Sequence, residues 1–157
     1  MNLSTGCASL SIDPQNPDKM FASMWDFRRK GWTFRSGGEG PDKPSGSGLY
    51  VTTDGGKTWA RQDAATNKGF PTGPLGRIGV TVAPSNPNIV YAIIESQRSA
   101  LFRSDDGGKT WSERDRSQFM VWRPFYFANI TVDPKNCLLY TSPSPRDRTR
   151  SRMPSSA

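Results

Sequence analysis

Two stretches of this chain are nearly the same text. Gly-Leu-Tyr-Val-Thr-Thr-Asp-Gly-Gly-Lys-Thr-Trp at 48–59 returns as Ala-Leu-Phe-Arg-Ser-Asp-Asp-Gly-Gly-Lys-Thr-Trp at 100–111, an offset of 52 residues. A second element recurs out of phase with it: Ser-Ile-Asp-Pro-Gln-Asn-Pro at 11–17, Thr-Val-Ala-Pro-Ser-Asn-Pro at 81–87 and Thr-Val-Asp-Pro-Lys-Asn at 131–136, with starts 70 and 50 residues apart. The longer first interval contains a Gly/Pro/Ser-rich insertion at 36–48, so the unit is near 50 residues with loops of variable length. A chain with such a period stacks copies of one supersecondary unit.

The apolar runs predict four short strands per unit. The more complete copy places them at 78–82, 89–94, 101–104 and 110–114; the earlier copy at 9–12, 20–25, 49–52 and 58–61; a third begins at 127–132. Four strands in a unit of this length is the blade of a β-propeller. The expected fold is therefore all-β, a partial β-propeller of about two and a half four-stranded antiparallel blades. The propeller stretch is expected over 1–136, with blade 1 at about 8–62, blade 2 at about 77–115 and the start of blade 3 at about 127–136.

Between the third and fourth strands of each unit stands Asp-Gly-Gly, a strong hairpin signal because glycine adopts positive φ without penalty. Asp54 and Asp106 are expected to accept backbone N–H bonds inside this turn, with Gly56 and Gly108 at its tight positions. Thr52 and Ser104 before the turn, and Thr58 and Thr110 after it, can add hydroxyl bonds. Trp59 and Trp111 are expected to bury their rings between strands. Turn chemistry accounts for every residue type here, so the aspartates read as folding devices and not as acids or cation ligands.

Composition removes several classes of chemistry. With no histidine there is no His-dependent triad, His base or His-containing zinc site among these residues. Cys7 and Cys137 are too few for a disulfide framework and lack metal-ligand spacing. Neither a metal nor a cofactor is expected. No apolar run approaches the ~20 residues that cross a bilayer, and the first residues lack the pattern of a signal peptide. An exported parent would carry its signal upstream of Met1. The formal charge is +7, but Arg146, Arg148, Arg150 and Arg152, set against Asp147, account for +3 of it. No nucleic-acid-binding motif accompanies the remaining excess, so no nucleic-acid partner is expected.

The paired segments match the Ser/Thr-x-Asp-x-Gly-x-Thr-Trp pattern, and the chain on this ground resembles the Asp-box, or bacterial-neuraminidase (BNR), repeat proteins. Met24-Trp25-Asp26-Phe27-Arg28-Arg29-Lys30, Gly73-Pro74-Leu75-Gly76-Arg77-Ile78-Gly79 and Arg123-Pro124-Phe125-Tyr126 further resemble the sortilin-like propellers often labelled glycosyl hydrolases in bacteria. The resemblance covers about 5–136, and complete relatives carry many more blades, which implies a fragment of an exported or extracellular parent. It implies two functions of different kinds. Sortilin-type propellers bind peptides and proteins, whereas related Asp-box propellers cleave glycans such as sialosides or xyloglucan. The first expectation is a ligand-binding propeller fragment that recognises peptide or glycan; the alternative is part of a sialidase- or xyloglucanase-like glycoside hydrolase.

Strand parity locates the ligand. Turns joining first to second and third to fourth strands share one face of the disc; second-to-third loops and blade-to-blade connections share the other. That second face is expected to receive 26–47, 62–77, 95–99 and 115–126, the long loops of the chain. The candidate ligand-binding residues on it are Arg28, Arg29, Trp32, Arg77, Glu95, Arg123 and Tyr126. Guanidinium forks suit carboxylates or other anions, and aromatic rings can stack on sugar faces or peptide side chains. Arg77, just before an innermost strand, is the best candidate to line the central channel. Asp26, Glu39, Glu95 and Tyr126 lie on the correct face for glycoside chemistry, but no pair is assigned as catalytic. Beyond Asn136 the repeat logic breaks, and 137–157 reads as a non-native or disordered basic tail in which 138–141 can still pair as a makeshift strand.

Overall fold

The computed structural model describes residues 3–30, 33–36, 38–40, 43–117, 129–137 and 139–141. Every regular element among them is a β-strand.

The first sheet runs β1 (Thr5–Ile12), β2 (Met20–Lys30), β6 (Gly48–Thr52), β7 (Ala60–Arg61) in spatial order, all antiparallel. The second runs β8 (Ile78–Val82), β9 (Val90–Ile94), β10 (Ala100–Ser104), β11 (Ser112–Asp115), likewise antiparallel. A third begins with β12 (Ile130–Val132) paired to β13 (Leu139–Thr141). Between β2 and β6 the chain makes an excursion absent from the second sheet. There β3 (Thr33–Ser36) folds back on the extended end of β2, followed by a small hairpin of β4 (Gly38–Gly40) and β5 (Lys43–Pro44).

Alternation gives each sheet two faces, and the faces stack. Phe21, Leu49 and the partly buried Val51 from the first sheet meet Ile78, Val80, Val82, Val90, Ala92, Ile94, Ala100, Phe102 and Trp111 from the second in one core. The opposite face of the second sheet, with Tyr91, Ile93 and Leu101, packs on Val132 and the partly buried Ile130 of the third. The first strands sit side by side along the stack. Ser11 Oγ accepts the Val82 amide at 2.9 Å, and Ser9 Oγ donates to the Val80 carbonyl at 3.5 Å. These serines satisfy edge groups of β8 that a flat sheet would leave bare. The stacking of four-stranded sheets through their faces, first strand beside first strand, is that of a partial propeller.

Two expectations about packing are corrected. Trp111 is buried at 5% exposure, but Trp59 is 38% exposed. The same holds along the strands. Leu10 and Ile12 are 54% and 51% exposed, while their counterparts Val80 and Val82 are at 5% and 4%. The cause is position in the stack, since this face of the second sheet lies against the first sheet and the equivalent face of the first sheet meets no described sheet. The connection 62–77 also departs from expectation. Instead of lying wholly on the loop-rich face, it wedges into the flank between the two sheets. Phe70 and Leu75 enter the core, the Asn67 side-chain Nδ2 donates to the Gly108 carbonyl at 3.2 Å, and the Trp111 backbone amide donates to the Lys68 carbonyl at 2.8 Å. Gly69 has φ +82° at the close approach; a Cβ there would lie 1.8 Å from the Trp111 carbonyl oxygen.

Candidate functional site

The two Asp-Gly-Gly turns are superposable in their bonding. Thr52 Oγ1 donates to Asp54 Oδ1 at 2.7 Å and Ser104 Oγ to Asp106 Oδ1 at 2.7 Å. The Thr58 and Thr110 amides donate to the same oxygens at 2.9 and 2.8 Å, and their hydroxyls to the other carboxylate oxygen at 2.5 and 2.6 Å. Gly56 and Gly108 amides donate back to Thr52 and Ser104 Oγ, at 3.0 and 2.8 Å. Each glycine pair takes positive φ, 72° and 89° in one turn and 71° and 95° in the other.

These bonds hold the aspartates ionised. The Thr58 hydroxyl and amide, then the Thr52 hydroxyl, bring Asp54 down to about 2. Burial pushes Asp106 upward, but donors from Thr110, Ser104 and Lys109 outweigh it and bring it to about 2 as well. Both oxygens of each carboxylate are engaged within the turn. Each turn is also bonded to the first-to-second turn of its own sheet, Gly55 amide to Asp18 carbonyl at 3.0 Å and Gly107 amide to Asn88 carbonyl at 2.8 Å. These four turns thus share one face.

The opposite face gathers a different set of groups where the three sheets meet. Phe21, Ser23, Trp25 and Phe27 follow one another at period two along β2, and the last two carry the row beyond the core onto this face. Their rings lie 4.5 Å apart between centroids. The Arg77 guanidinium lies over the Trp25 ring at 5.4 Å and donates to Asn129 Oδ1, just before β12, at 3.4 Å. Glu95, at the end of β9, accepts on Oε2 from the Arg77 amide at 2.7 Å and from Ser36 Oγ at 2.6 Å; Ser36 Oγ in turn accepts from Trp25 Nε1 at 2.8 Å. Asp26 is 1% exposed, its amide bonded to Ser47 Oγ at 2.8 Å and its Oδ2 to the Gly46 amide at 3.2 Å, so it closes the base of the 26–47 excursion.

Of the sequence candidates, Arg77 and Glu95 stand together in this cluster and Arg28 is exposed on β2 next to it. Arg29 contributes backbone to β2; its side chain, together with Trp32, Arg123 and Tyr126, lies outside the described residues, as does the Glu39 side chain. Trp25 and Phe27 were missed as site residues, although continuation of the period-two row past Ser23 was the signal that pointed to them. No group of three or more metal-ligating side chains occurs among the described residues.

A family model for the BNR/Asp-box repeat matches residues 50–61 and 102–113, the two hairpins whose bonding is described above. This chain carries two Asp-box repeats in a partial β-propeller. Of the curated proteins, a sialidase from Trypanosoma cruzi is 36% identical over 81 residues, covering 43% of this chain and 7% of that protein. Among solved structures, the GH74 xyloglucanase from Xanthomonas campestris superposes with a TM-score of 0.52 at 18% identity, over 85% of this chain and 19% of that one. An ancestral GH74 enzyme gives 0.52 at 18% identity, over 87% and 16%. The Asp-box chain thus spans a small part of each relative, and the structural likenesses speak to fold alone.

Proposed function

We propose that this Asp-box propeller stretch belongs to a glycoside-hydrolase-like protein and supplies a carbohydrate-binding wall on its loop-rich face. The observation that carries the reading is the Trp25–Phe27 ring pair with Arg77 laid over the indole, at the junction of three sheets. Aromatic faces stack on the C–H faces of sugars, and a nearby guanidinium donates to hydroxyls or carboxylates. The similarity to a sialidase sequence favours carbohydrate over other ligands. The contribution is binding and not bond cleavage, because the carboxylates of this cluster, Asp26 and Glu95, hold loops in place through their own hydrogen bonds.

Titration calorimetry with xyloglucan oligosaccharides and sialyllactose tests this. Binding by the chain, weakened tenfold or more by Trp25→Ala or Arg77→Ala but unchanged by Asp54→Asn on the opposite face, is the expected result. A second reading, recognition of acidic peptides, is favoured by the basic residues Arg28, near the end of β2, and Arg77 and Arg98 in the loops. Binding of an acidic peptide with no response to either saccharide would replace the carbohydrate reading with that one.

A further inference from the structure

The carboxylate of Glu95 sits in a place where a ligand-facing acid would be expected, yet its bonds run inward and across the sheet boundary. It belongs to the second sheet. Its partner Ser36 lies 59 residues earlier, on the strand β3 that exists only in the excursion of the first sheet. The Ser36 hydroxyl has one proton to give and gives it to Glu95, while its lone pair receives the Trp25 indole proton. The result is a directed chain, indole to hydroxyl to carboxylate, each bond polarising the next. The same carboxylate oxygen holds the Arg77 amide, and the backbone closes around it: the Glu95 amide donates to the Arg77 carbonyl at 2.9 Å and the Gly76 amide to the Glu95 carbonyl at 2.8 Å. Space at this point is reserved. A Cβ on Gly76 would lie 2.2 Å from Glu95 Oε2 and 2.7 Å from Ser36 Oγ, so a larger residue at 76 would have to displace the Glu95 carboxylate.

We propose that Glu95 is a positioning residue: acting through Ser36, it clamps the first sheet's excursion onto the second sheet and sets the orientation of Trp25 and of the main chain that bears Arg77. The indole face and the guanidinium are then held by groups from two different sheets, so the aromatic platform exists only while the sheets are docked. The link to saccharide affinity rests on the carbohydrate reading above; the clamp does not. A glutamine at 95 keeps one acceptor oxygen in the same place and loses the charge, so it should support the chain partially, whereas alanine removes the acceptor.

The test uses the whole chain with Glu95→Ala, Glu95→Gln, Ser36→Ala and the Glu95→Ala/Ser36→Ala double variant. Hydrogen exchange of the 33–36 segment is followed by mass spectrometry. The Trp25 environment is read by fluorine NMR on 5-fluorotryptophan-labelled protein, assigned by Trp25→Phe. Expected are exchange at 33–36 faster by tenfold or more and a displaced Trp25 resonance in both alanine variants, an intermediate state in Glu95→Gln, and no further change in the double variant. Saccharide affinity should fall in the same order. An unchanged Trp25 resonance and unchanged exchange in Glu95→Gln and Ser36→Ala would overturn the clamp, even if Glu95→Ala fails to fold. If no saccharide binds the unaltered chain while the resonance and exchange respond as expected, the carbohydrate reading falls and the clamp stands.

Discussion

At the scale of single residues, the Asp-box aspartates make the clearest physical statement. Asp54 and Asp106 are held near 2 in the folded chain, against about 3.9 when unfolded. A depressed folded value means that the stabilisation is fully present above the unfolded value and is lost as pH falls from about 4 through about 2. Thermal unfolding followed by circular dichroism should therefore show the midpoint dropping across that window. Asp54→Asn/Asp106→Asn should start lower at pH 6 and lose less on acidification. An unaltered acid response in the double variant would contradict the assignment. The buried Ser23 hydroxyl gives the opposite kind of prediction. It has no hydrogen-bond partner among the described residues, so Ser23→Ala should be neutral or stabilising by about 1 kcal/mol. A fall in the denaturant midpoint would show that the hydroxyl is satisfied.

At the scale of elements, what was legible in the sequence followed from short-range rules. Asp-Gly-Gly between apolar runs marks a hairpin because its glycines must take positive φ, and both hairpins form where the repeat put them. The fourth strands begin later than the apolar pattern suggested, at Ala60 and Ser112, because Thr58 and Thr110 are spent on bonds to the aspartates and cannot also pair. The wedge at 62–77 was not legible. Phe70 and Leu75 stand singly among Gly, Pro and Thr, with no period to betray them, and their burial depends on the flank between two sheets. Strand parity put Arg77 and Glu95 on the loop-rich face, where they stand together, but Trp25 and Phe27 were read as the end of a strand and its loop.

The tryptophans separate local from stacking effects. Trp111 packs edge-on to Phe70 at 5.8 Å and donates to Gln62 Oε1 at 3.2 Å, whereas Trp59 donates only to the Gly56 carbonyl of its own turn among the described residues. Trp111→Ala should cost about 3–5 kcal/mol and Trp59→Ala about 1 kcal/mol, measured by urea unfolding. Equal costs would mean that both rings are stabilised by their hairpins alone.

At the scale of the whole molecule, equivalent repeats have unequal surroundings, which no repeat pattern can reveal. Leu10, Ile12 and Trp59 occupy the places of Val80, Val82 and Trp111 but lie exposed on the outer face of the first sheet. An apolar sheet face of this kind drives association. Sedimentation velocity should show the chain self-associating at micromolar concentration, and Leu10→Lys/Ile12→Lys should shift it toward monomer without lowering its melting temperature. A monodisperse monomer that melts cooperatively without these changes would contradict the exposure of that face.

The two Asp-box hairpins belong to successive sheets stacked face to face. The contact that tests this stacking most directly is Gly108 against Phe21, where a Cβ on the glycine would lie 2.8 Å from the Phe21 ring. A nuclear Overhauser effect between the Gly108 α-protons and the Phe21 ring, with another between Trp111 and Phe70, is the expected result. Absence of both, together with effects linking Leu10 or Ile12 to Val80 or Val82, would mean that the repeats pack through other faces and would contradict the stacked arrangement.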